Sequence, residues 1–70
     1  MDTMVKIKIE MSLAGIKEAN NSFMETGNEK MLKYKSFLIA KFGGYIDALY
    51  DAKIISWSDW KKYLLITYKI

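Results

Sequence analysis

Between Met31 and Ala52, apolar side chains return at steps of three and four: Met31, Tyr34, Leu38, Phe42, Tyr45, Leu49 and Ala52, with Leu32, Ile39, Ile46 and Tyr50 widening the same side. A helix brings such positions onto one face, because its 3.6-residue turn stacks residues three and four apart. The stripe predicts the central helix of the domain, with Asn28 as its N-cap. Gly43 and Gly44 interrupt it, and each costs about 1 kcal/mol against alanine in a helix interior. Lys41 suits the C-terminal end of one segment and Asp47 the first turn of the next, as the helix dipole favours. The sequence therefore predicts a break or kink at Gly43 and Gly44.

Ahead of this region the periodicity changes. Val5, Ile7, Ile9 and Met11 alternate with Lys6, Lys8 and Glu10, a period of two that predicts a strand with one apolar face. A single strand leaves half its backbone groups unpaired, so it calls for a second strand at the C-terminus, in another subunit or in a partner. Ser12 would cap a first helix reaching about Glu25, with Leu13, Ile16, Ala19 and Phe23 inward and Gly27 as its left-handed stop. Toward the end, Ser56 and Asp59 form a capping box. That helix would place Trp57, Trp60, Leu64 and Tyr68 on one side, although Leu65, Ile66, Thr67 and Tyr68 also suit a strand. The expected fold is α+β: one domain over residues 1–70, an N-terminal strand, three to four helices, and a second strand at the C-terminus or across a dimer.

No histidine, cysteine, arginine or proline occurs in the 70 residues. Histidine is the side chain that titrates nearest neutrality, and cysteine is the readiest nucleophile and soft metal ligand. The eight carboxylates form no recognisable constellation. We therefore expect no enzyme, no cofactor and no metal. Asp47 and Asp51 stand one helical turn apart but lack the further ligands a cation needs. Disulfide and zinc staples are both excluded, so a second copy or another partner is the remaining way to enlarge a thin core. No stretch approaches the roughly 18 apolar residues of a membrane span, and the expected location is the cytoplasm. Lysine without arginine, beside nine isoleucines, resembles the output of an AT-rich genome.

Phe37 is the anomaly. At helical spacing it falls among Lys30, Lys33 and Lys41, opposite the apolar stripe, where solvent belongs. An aromatic ringed by ammonium groups suits an acidic groove on another protein or the face of a nucleic-acid base. Trp57 is a further candidate contact, because tryptophan is enriched at interface hot spots.

Residues 5–42 resemble the ribbon-helix-helix DNA-binding domains of the Arc and MetJ repressor type: an alternating strand, a helix closed by Gly27, then a second helix. That resemblance implies a dimer whose paired strands enter the major groove, with Lys6, Lys8 and Glu10 as the outward readers. Residues 43–70 lie outside it. The leading expectation is a small regulatory protein that docks on a protein partner as an inhibitor or modulator, of the kind encoded by viruses and mobile elements. A dimeric DNA-binding regulator is the alternative.

Overall fold

The computed structural model describes residues 2–70 and consists of three helices: α1 (Thr3–Thr26), α2 (Glu29–Asp51) and α3 (Trp57–Lys69). No strand occurs among the described residues, so the α+β expectation is corrected to an all-helical fold. Residues 5–11 form the first turns of α1. Asp2, not Ser12, is the N-cap, its carboxylate accepting the Met4 N–H at 2.7 Å. Ser12 lies inside the helix and donates its hydroxyl to the Lys8 carbonyl at 2.8 Å.

The physical reason lies in the phase of the apolar residues. Val5, Ile9, Leu13, Ile16 and Ala19 follow one another at steps of four and three, and that stripe continues beyond residue 11, where the alternation stops. Ile9 and Ile16 are completely buried, whereas Ile7 and Met11 are 43% and 70% exposed. A strand would have put all four alternating residues on one side. The ribbon implied by the ribbon-helix-helix resemblance is therefore not formed.

Gly27 ends α1 with φ at 65°, its N–H donating to the Phe23 carbonyl at 2.7 Å. Asn28 then opens α2, its side chain accepting the Lys30 N–H at 2.9 Å. The helix passes through Gly43 and Gly44 without interruption, which corrects the expected break. Phe42, Ile46 and Leu49, on both sides of the glycines, are all buried in one core. Burial of such side chains is worth about 1.5–3 kcal/mol each, which outweighs about 1 kcal/mol lost per glycine.

A left-handed Lys53, φ 60°, turns the chain after α2, and the Ile54 N–H closes onto the Leu49 carbonyl at 2.9 Å. Ile55 plugs the end of the core. Ser56 caps α3 as expected, accepting the Asp59 N–H at 3.1 Å. Residues 63–69 are helical, so no C-terminal strand forms. The inward face of α3 also differs from the expected one. Tyr63 and Thr67 are buried, with Trp60, Ile66 and Ile70 partly so, while Trp57 and Tyr68 are 55% and 84% exposed. The Thr67 hydroxyl is satisfied by the Leu64 carbonyl at 2.6 Å.

Central α2 packs against both other helices, and its main contact is with α1. On the α3 side, the Trp60 indole N–H donates to Asp47 at 2.7 Å and its ring lies 5.6 Å from that of Tyr50. The Lys35 ammonium donates to the Asn20 side chain of α1 at 2.8 Å and to the Ile70 carbonyl at 3.2 Å. The body is elongated, 39 × 18 × 16 Å, with a radius of gyration of 12.7 Å. A compact domain of this length would have about 11 Å. Its accessible surface of 5126 Å² likewise exceeds the about 4,500 Å² of a compact monomer of the same mass.

Candidate docking surface

The hairpin of α1 and α2 has two sides, and α3 covers one of them. Along the other runs an open groove. Its widest section, about 590 Å³, is lined by Met4, Val5, Ile7, Lys8, Met11 and Tyr45. It continues past Gly15, Tyr34, Leu38 and Lys41, about 270 Å³, toward Glu18, Ser22 and Met31, about 250 Å³. Met4, Met11 and Tyr34 are 73%, 70% and 51% exposed. Methionine is flexible and polarizable, and exposed clusters of it occur on surfaces that adapt to partners. The reading of residues 5–11 as a strand concealed this groove. Read at helical spacing, Met4, Ile7 and Met11 already form a stripe beside the buried one.

Phe37 lies on the outer face of α2, 59% exposed. One helical turn away on either side stand Lys33 and Lys41, with Lys30 one turn further, and all three are exposed. Tyr34, three residues before Phe37, links this face to the groove rim. Phe37, Lys30, Lys33 and Lys41 are thus exposed along one length of α2. Trp57 does not join them. It begins α3, whose next turn packs beside Asp47, and the helical rise puts Asp47 about 15 Å along α2 from Phe37. Its ring is instead overlaid by the Lys61 ammonium at 5.0 Å.

Lys6, Lys8 and Glu10 do not share a face. At about 100° per helical residue, Lys8 projects on the side of α1 opposite Lys6 and Glu10, and it turns to the groove, its ammonium 4.7 Å over the Tyr45 ring. Glu10 is on the α3 side, where its charge acts on Tyr63. Burial first, then the carboxylates of Asp59 and Glu10, raise the Tyr63 hydroxyl above its ordinary value. Asp47 is engaged by Trp60, and no group of three or more metal-ligating side chains occurs among the described residues. No described helix is long and apolar enough to cross a membrane. No protein-family model matches the chain, and neither a curated protein nor a solved structure matches it.

Proposed function

We propose that the chain is a small non-enzymatic regulatory protein that docks on an acidic surface of a protein partner in the cytoplasm. The observation that carries this reading is Phe37, a bulky ring 59% exposed on α2 and flanked by exposed Lys30, Lys33 and Lys41. Left in water the ring gains little, whereas a pocket on a partner can draw roughly 2 kcal/mol or more from such an anchor. The surrounding ammonium groups select carboxylates at the rim, and the net charge of +3 acts in the same sense during encounter.

The test begins with affinity capture from the source cells and proceeds to titration of the purified captured protein. Phe37→Ala should weaken that binding by about tenfold or more with an unchanged melting temperature, as expected for an anchor outside the core. Lys33→Glu should chiefly slow association and alter its salt dependence. If Phe37→Ala unfolds the protein and leaves affinity intact, the ring is structural and the reading fails. If the chain instead binds a single-stranded oligonucleotide with an affinity that falls steeply with salt, the same face serves nucleic acid.

A further inference from the structure

We infer that α1 pairs with α1 of a second copy, antiparallel and two-fold symmetric, through the open side of the hairpin. The groove-lining positions on α1 include Met4, Lys8, Met11, Gly15, Glu18 and Ser22. Their steps are four, three, four, three and four, the spacing of a seam between two helices. The order of residues also fits itself reversed. Turned end for end about residue 13, Met4 meets Ser22 of the second copy, Lys8 meets Glu18, and Met11 meets Gly15. Each large side chain faces a small one and each charge faces its opposite. Such self-complementarity is what a two-fold interface requires.

Gly15 leaves room for such a contact, as Gly43 and Gly44 of α2 also leave open space. Glycine inside a helix is destabilising relative to alanine, and Gly15 stands in the middle of α1. A Cβ added at Gly15 would meet no atom within 4 Å among the described residues. The methionine of an opposed helix would fill that space. Phe37, Lys30 and Lys33 line no part of the groove, whereas Lys41 does, so the two readings meet at Lys41 and are tested at different residues.

Lys8 and Glu18 are ten residues apart, about 15 Å along the helix, and cannot pair within one chain. Charge reversal therefore tests the second copy directly. Sedimentation equilibrium of the full chain, up to about 1 mM, should give a mass of twice 8.2 kDa. Lys8→Glu and Glu18→Lys should each weaken the dimer by about tenfold, because both symmetry-related pairs become repulsive. The double variant should recover it, and an equimolar mixture of the two single variants should form a heterodimer tighter than either homodimer. Gly15→Leu should abolish association while the monomer stays helical by circular dichroism. A monomer at every concentration, or a dimer indifferent to both reversals and to Gly15→Leu, overturns the inference. Either outcome leaves the Phe37 titrations unaffected.

Discussion

The two sides of the α1–α2 hairpin carry similar chemistry and meet different fates. On one side Ile9, Ile46 and Leu49 are closed over by Tyr63 of α3 and by Ile55, and little of them reaches water. On the other, Met4, Ile7, Met11 and Tyr34 line a groove left open. The 13 residues of α3 span about 20 Å, roughly half the length of the body, so they can roof one side only. A chain this short completes its core once and has apolar surface to spare. That remainder is where an interaction costs least to build.

The contrast predicts a graded response to substitution. The largest effect belongs to the closed side: Ile46→Ala removes a fully buried side chain, and the urea midpoint should report a loss of about 2–5 kcal/mol. An unmoved midpoint would mean that the core has been misplaced. Next comes Tyr63, whose hydroxyl is held above its ordinary value mainly by burial. The folded protein keeps that proton at a pH where the unfolded chain has released it. The resulting stability is whole below about pH 10 and is lost as pH rises through the raised folded value. Tyr63→Phe should flatten the alkaline limb of a stability-against-pH curve, and parallel curves for the two proteins would refute the assignment. The smallest effect is expected on the open side. Met11→Ser, at a site 70% exposed, should shift monomer stability by no more than about 0.5 kcal/mol.

Much of this architecture was legible in the residues. The helix from Glu29 to Asp51, the caps at Asn28 and Ser56 and the stop at Gly27 all follow local rules, and the structure keeps each of them, although only Phe42, Ile46 and Leu49 of the α2 stripe are buried and Tyr34 is half exposed. The strand at residues 5–11 failed because four alternating apolar residues also contain two pairs four apart, Val5 with Ile9 and Ile7 with Met11. Only the continuation through Leu13 and Ile16 separates the two readings. At Gly43 and Gly44, local propensity argued for a break and tertiary burial overruled it. On α3 the helical spacing of Trp57, Trp60, Leu64 and Tyr68 marks one face, yet Trp57 and Tyr68 are exposed. Trp60, Tyr63, Thr67 and Ile70 also recur at steps of three, four and three, and it is this second stripe that the fold turns inward. The exposure of Phe37 was readable from its place opposite the stripe, whereas the groove required α1 to be seen as one helix.

The two connections in this chain, residues 27–28 and 52–56, have a kinetic consequence. Helices joined by such short links meet through contacts close in sequence, and folds of that kind form in microseconds to milliseconds. Among the side-chain hydrogen bonds of the described residues, the one of longest separation is that of Lys35 with the carbonyl of Ile70. The α1–α2 hairpin can thus assemble before α3 settles against it, and α3 is the element expected to open first in native-state hydrogen exchange. Such openings would bare Ile46 and Tyr63 briefly while the groove and Phe37 stay in place, so the chain could keep its binding faces through excursions that expose its core.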